Sequence, residues 1–507
     1  MSARTVALLI LVSFPLLAAG QPAGPSVEER LRRLEQRQEE TDRQIREKDA
    51  RIQELERQLQ TAGQPAVAAP TPAPGEPAVV SPAAVAATPA ASLPSAEAPA
   101  SVPAKPDKWG AFEPGRGFVL ARTELGEVDF GVFSYVRYLN QKGLDETFTD
   151  SFGRTQDIDR RSDVQLQKVN LTFKGWLLDP DFRYKFYVWT SNSNQGQSAQ
   201  VVVAGNVNYY FNENLTLGAG IDALPTTRTT NGTFPNWLKV DHRTMADEYF
   251  RGSYTSGIWA NGEITDKVKY RVMVGNNLSQ LGVDAAQLDN SFNTVSGALW
   301  WLPTTGEFGP GEGFGDFEHH EEVATLFGVH YSRSREDKQS QPDSEDPENS
   351  QIRVSDGTGI FGIGALAPGT QINKATYQMT DVNAGVKYRG FSLDAEYYWR
   401  QVDDFAVSGP GLLPISNLDD HGFQIQASAM LVPKSIQAYL AGSKIYGEYG
   451  DPSDISVGLN WFPYRNRIVR VNGQVLYLND SPVGYTSVPF PLGGNGTVWS
   501  TDIMLAF

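Results

Sequence analysis

The chain has 507 residues, a formal net charge of −16, 48 glycines, 11% aromatic residues and no cysteine. The missing cysteine excludes disulfides, thiolate metal sites, thiol nucleophiles and an anchor on an N-terminal cysteine. The acidic balance argues against nucleic acid or an anionic membrane surface as a bulk partner. Mean hydropathy is negative, which together with so much glycine and aromatic residue fits many short strands joined by tight turns.

In chain order, the first feature is the apolar run Val6 to Ala19, preceded by Arg4 and ending in Ala18-Ala19-Gly20. It reads as a secretory signal peptide over 1–20, too short to span a bilayer as a helix. No later apolar run reaches the roughly 18 residues of a transmembrane helix. Export is therefore expected, and any membrane insertion has to be by strands.

Residues 26–60 carry a heptad. Leu31, Gln38, Ile45, Ile52 and Leu59 recur at one core position, and Val27, Leu34, Thr41, Lys48 and Leu55 at the other. The expectation is a self-associating coiled coil, with a solvated spacer helix as the alternative. Residues 61–107 are rich in Ala and Pro and are expected to form a semi-extended linker.

From Trp109 the texture changes, and 108–507 is expected to be one domain. Segments of about ten residues alternate apolar and polar between Gly, Asn, Asp and Pro. Val169, Leu171 and Phe173 alternate with Lys168, Asn170, Thr172 and Lys174; a turn is expected at Asp179-Pro180-Asp181. Phe182, Tyr184, Phe186 and Val188 then alternate with Arg183, Lys185, Tyr187 and Trp189. The pattern recurs to the closing strand, where Trp499, Thr501, Ile503, Leu505 and Phe507 share one face. Near-bilayer strand lengths, aromatic-tipped apolar faces and unequal connections point to an all-β fold, an antiparallel transmembrane β-barrel. About 400 residues at roughly 22–25 per strand with its loop gives 16 strands, or 18 at most. Short turns are expected at one end and long loops at the other.

Three stretches then carry a resemblance. Leu217-Gly-Ala-Gly-Ile-Asp-Ala-Leu-Pro225 is one; Arg243-Thr-Met-Ala-Asp-Glu-Tyr-Phe-Arg-Gly252 with Gly257-Ile-Trp-Ala-Asn-Gly262 is the second; Gly458-Leu-Asn-Trp-Phe-Pro463 with the strand 467–477 is the third. With Phe507 they resemble the phosphate-selective porin O/P family over roughly 117–507. The resemblance implies a 16-stranded, trimeric outer-membrane diffusion porin with one loop folded into the lumen. The stretch Asp222-Ala-Leu-Pro-Thr-Thr-Arg-Thr-Thr230 departs from the family's basic segment and places Asp222 there instead.

Alternation places Lys168, Lys174, Arg183, Lys185, Lys269, Arg271 and Arg470 on the lumen face, and the inward loop would add Arg228, Lys239, His242, Arg243 and Arg251. Rows of Lys and Arg concentrate anions and replace part of their hydration. Pairing with lumen carboxylates such as Asp222, Asp394 and Glu396 is the alternative role. His319-His-Glu-Glu322 reads as an exposed acidic loop and not a metal site. Trp300-Trp301 reads as interface or strand packing.

The function expected is passive diffusion of small, anionic solutes, phosphate or carboxylates among them. The partners are then outer-membrane lipid, a homotrimer formed through barrel and coiled coil, and cell-wall peptidoglycan for a periplasmic stem. No cofactor, metal or catalytic residue is expected. Two other classes stay open: a tether using the barrel as an anchor and the stem to grip the cell wall, and a barrel-embedded hydrolase.

Overall fold

The computed structural model describes residues 110–113, 116–191, 200–230, 233–280, 291–338, 352–485 and 488–507. The expected signal peptide, coiled coil and linker lie outside the described residues.

Sixteen strands close a barrel among the described residues. In chain order they are β1 (Gly126–Leu144), β2 (Ser162–Leu177), β3 (Asp179–Ser191), β4 (Gln200–Asn212), β5 (Leu215–Ala223), β6 (Tyr254–Thr265), β7 (Val268–Gly275) and β8 (Thr294–Trp301). They continue as β9 (Ala324–Asp337), β10 (Gln371–Tyr388), β11 (Phe391–Ser408), β12 (Leu418–Val432), β13 (Ile436–Tyr446), β14 (Ser453–Trp461), β15 (Val469–Asn479) and β16 (Gly496–Ala506). Each pairs antiparallel with the next, and β16 returns to β1 from Gly496↔Leu144 to Ala506↔Phe133. Closure leaves no sheet edge along the wall.

The period-2 pattern decides which way each side chain points. Val457, Leu459 and Trp461 are exposed on the outer face, as are Trp499 and Ile503, while Asp454, Ser456 and Asn460 are buried inside. On β11 the outer aromatics Phe391 and Trp399 stand eight residues apart, about 26 Å along a strand. At a barrel strand's usual tilt this is close to the height of an apolar band between two aromatic girdles.

One end of the barrel carries most of the short connections (the turn end) and the other the long ones (the loop end). The β2–β3 reversal falls at Leu178, φ 64, with its N–H bonded to Leu125 O at 2.7 Å. The turn is thus earlier than the Asp179-Pro180-Asp181 expected, and those three residues open β3. One connection at the turn end is also long. Residues 302–323 run inward, burying Leu302, Phe308, Phe314 and Asp316.

Chain entry and exit meet at the turn end. Strand Gly117–Thr123 pairs with the start of β1 and with Phe112–Glu113. It occupies the edge of β1 beyond the point where Phe507 ends, Phe507 itself exchanging backbone hydrogen bonds with Val132. The rings of Phe112, Phe118 and Phe507 pack edge-on at 5.3–6.2 Å.

Candidate pore constriction

The connection between β5 and β6, residues 224–253, folds into the barrel. It holds a 3-10 turn, Arg228–Thr230, and a six-residue helix, α1 (Met245–Phe250), whose residues are all buried. Leu224, Met245, Tyr249 and Phe250 pack with Tyr377, Met379, Tyr398 and Leu418 in an apolar core inside the lumen.

Polar bonds fix this loop to one wall. Arg228 pairs with Asp394 at 2.5 Å and its backbone N–H donates to Glu396. Met245 N donates to Asp454, Ala246 N to Ser443, and Thr244 Oγ1 to Gln424. Asn460 donates to Leu238 O, Arg470 to Trp237 O, and Arg137 to Val240 O. Each loop carbonyl or amide held this way is a buried polar group that would otherwise be unsatisfied. The anchors lie on β11 to β15 and β1.

The segment 302–323 meets the same loop from the turn end. Phe314 N donates to Asn236 O, and Arg228 Nη2 donates to Glu312 O at 3.0 Å while lying over the rings of Phe308 and Phe314. Lys387 Nζ donates to Phe308 O. His320, expected on an exposed loop, is part-buried, its ring against Asp316 and Glu307; Glu321 and Glu322 are exposed as expected. Among the described residues no cluster suited to a metal ion occurs.

The two inward segments cover the lumen face of β9 to β16, where Ser332, Asp381, Glu396, Ser443, Asn472 and Asp502 are all buried. The lumen face of β2 to β7 is only partly covered: Tyr187, Asn206, Trp259 and Met273 are buried, but other positions keep their exposure. Lys185 is exposed there, and Lys168, Lys174, Trp189, Tyr210, Asp222 and Arg271 are part-exposed. Across from them, the part-exposed edge of the loop presents Phe234, Pro235, Asn236, Asp241 and Arg243. The exposed side chains of the lumen thus lie off-centre, in a slot between that edge and the β2–β7 wall.

Charges in the slot are largely paired. Lys168 meets Asp241 at 2.6 Å, Arg271 meets Asp222 at 2.8 Å, and Lys269 meets Glu312 at 2.8 Å. Arg243 reaches Asp247 and Glu248, stacks over Trp237, and so serves the loop's own architecture. Arg251 pairs with Glu248, and Lys239 lies 3.9 Å from Asp454. Burial would raise the Glu248 carboxyl, but Arg251, Arg243 and the Tyr485 hydroxyl reverse this and hold it at about 2. Burial, reinforced by Lys239 and Arg137, pushes His242 well below its ordinary value. Burial likewise lowers Lys239 against the pull of Asp454.

The candidate cations thus separate into three groups. Arg228, Lys239, Arg251 and Arg470 are buried supports of the inward loop. Lys168, Arg243, Lys269 and Arg271 border the slot with carboxylate partners. Lys174 and Lys185 stand directly opposite each other in register, with Asp129 opposite Lys174 on its other side. Lys185 and Arg183 are exposed and have no carboxylate within ion-pair distance among the described residues. Reasoning from sequence overlooked Asp241, which neutralises Lys168, and the rings of Tyr187 and Trp189. Their signal was present: two aromatic residues on the polar face of a strand.

No family model and no curated protein sequence matches the chain. Among solved structures, an anion-selective porin from Comamonas acidovorans overlays with a TM-score of 0.47 at 11% identity, covering 75% of this chain and 100% of that one. Vibrio cholerae OmpT, an outer-membrane protein, gives 0.44 at 9%, covering 76% and 99%. The outer-membrane channel DcaP of Acinetobacter baumannii gives 0.44 at 10%, covering 76% and 99%. Overlays this loose carry no inference about function.

Proposed function

We propose that the protein is a passive channel in the outer membrane of a diderm bacterium, admitting small solutes and favouring anions. The observation that carries this is the pairing of an apolar, aromatic-edged outer wall with a lumen only partly filled. Strands satisfy every backbone group around a closed barrel, which suits a wall facing hydrocarbon. The slot removes the hydrocarbon barrier, and the inward loop sets its width and charge.

The anion preference is supported by Arg183 and Lys185, exposed and without carboxylate partners among the described residues, and by Lys174 beside them. Phosphate and small carboxylates are both within reach of such groups: Lys offers a point charge, Arg a planar fork. The turn end, where chain entry and exit meet, faces the periplasm in this reading. The heptad of 26–60 would then form a periplasmic stem of a trimer, with peptidoglycan as its neighbour.

The test is the reversal potential of the purified protein in a planar bilayer across a KCl gradient. The sign should report anion selectivity, and Arg183→Glu with Lys185→Glu should move it toward cations. Cation selectivity in the unaltered protein would remove the anion claim and leave the channel. An absence of conductance would remove both.

A further inference from the structure

The wall of the slot is paved with flat rings. Tyr187 and Trp189 stack at 5.7 Å with 15° between their planes, and Tyr254 meets Trp189 edge-on at 5.6 Å. Trp259 lies against Gly218, its register partner; a Cβ there would come within 2.2 Å of the indole. The glycine therefore lets the ring lie flush with the wall. Cations sit over three of the rings: Lys168 over Trp189 at 5.8 Å, Lys185 over Tyr187 at 5.4 Å, and Arg271 over Trp259 at 5.4 Å.

The rings differ in access: Trp189 and Tyr254 are part-exposed, whereas Tyr187 and Trp259 are buried behind them. The nearby carboxylates Asp222 and Asp241 are each neutralised by Arg271 and Lys168, so they do not repel an incoming anion at full strength. Ring faces flanked by acids and amides would suit a neutral sugar. Ring faces overlaid by cations, one of them the exposed Lys185, suit a flat ring bearing negative charge.

We propose that this strip is a binding step for planar aromatic carboxylates. The solute's ring lies against the part-exposed Trp189 and Tyr254, and its carboxylate faces the exposed Lys185 ammonium, which sits over the Tyr187 ring stacked on Trp189. This rests on the channel reading above and names a solute class for it. The strip acts by stacking as well as by charge, so it distinguishes between anions of equal charge by shape.

The experiment compares benzoate with cyclohexanecarboxylate, which has the same charge and carbon count but no flat π-face. Each is titrated into the full-length protein carrying a chloride current in a planar bilayer. Benzoate should half-block the current at about fivefold lower concentration, the size of one aromatic contact. Trp189→Leu with Tyr254→Leu should erase the difference, and Trp189→Phe should retain it. Equal block by the two acids, or a difference that survives the double leucine variant, overturns the inference and leaves the channel standing. A protein that carries no chloride current overturns the channel reading and this inference together.

Discussion

Arg228 shows how much one side chain can organise inside a barrel. Its guanidinium is held by Asp394, by the carbonyl of Glu312 and between two phenylalanine rings, while its backbone N–H is held by Glu396. It therefore joins the inward loop, the segment 302–323 and β11. Removing one member of a buried ion pair leaves the other uncompensated, at a cost of about 3–5 kcal/mol. Arg228→Ala should loosen both inward segments, raise single-channel conductance and admit larger sugars in liposome swelling. Glu248 makes a second prediction at this scale. Its folded value, about 2, lies below that of an unfolded glutamate. Its contribution is then complete above the ordinary carboxylate range and is lost only as pH falls through that range toward about 2. Open-channel conductance of an anchored loop should stay level from pH 7 to 5, with excess current noise emerging at lower pH; noise that begins at neutral pH would contradict this anchor.

At the scale of elements, the wall was legible in the sequence and its contents were not. Alternation such as Phe182, Tyr184, Phe186 against Arg183, Lys185 follows from a two-residue period and assigns faces without tertiary knowledge. An inward loop was anticipated near 224–251 from the resemblance. Segment 302–323 defeated the same reasoning because its glycines and acidic residues look like solvent loop. Its burial comes from Phe308, Phe314 and Phe317, spaced with no regular period, and from partners more than 60 residues away such as Lys387 and Arg467. The ion pairs were hidden for the same reason: Lys168 could be placed on the lumen face, but Asp241 reaches it only once the loop has folded. Replacing residues 304–321 with a short turn should therefore widen the slot and increase conductance, as measured in the same bilayer. Unchanged conductance would mean that 302–323 lies outside the path.

At the scale of the molecule, the barrel is closed by a seam whose turn end is shared by two separate parts of the chain. β16 covers most of β1, and strand Gly117–Thr123 covers the rest. The Phe112, Phe118 and Phe507 rings sit at this junction. Phe507→Ala removes two aromatic contacts, each about 0.5–1.5 kcal/mol, and should lower the temperature at which the folded band converts to the unfolded one in detergent gels. A mobility transition at the unaltered temperature would show that the junction adds nothing to stability once the seam has formed.

The off-centre slot has an electrical consequence. Its exposed cations without carboxylate partners among the described residues, Arg183 and Lys185, lie on β3 toward the turn end, whereas Asp222 at the far end of β5 is balanced by Arg271. Fixed charge is thus graded along the path and not balanced about its middle. If the slot conducts as proposed, its current–voltage curve should be asymmetric, with ions passing more readily at one sign of voltage than at the other.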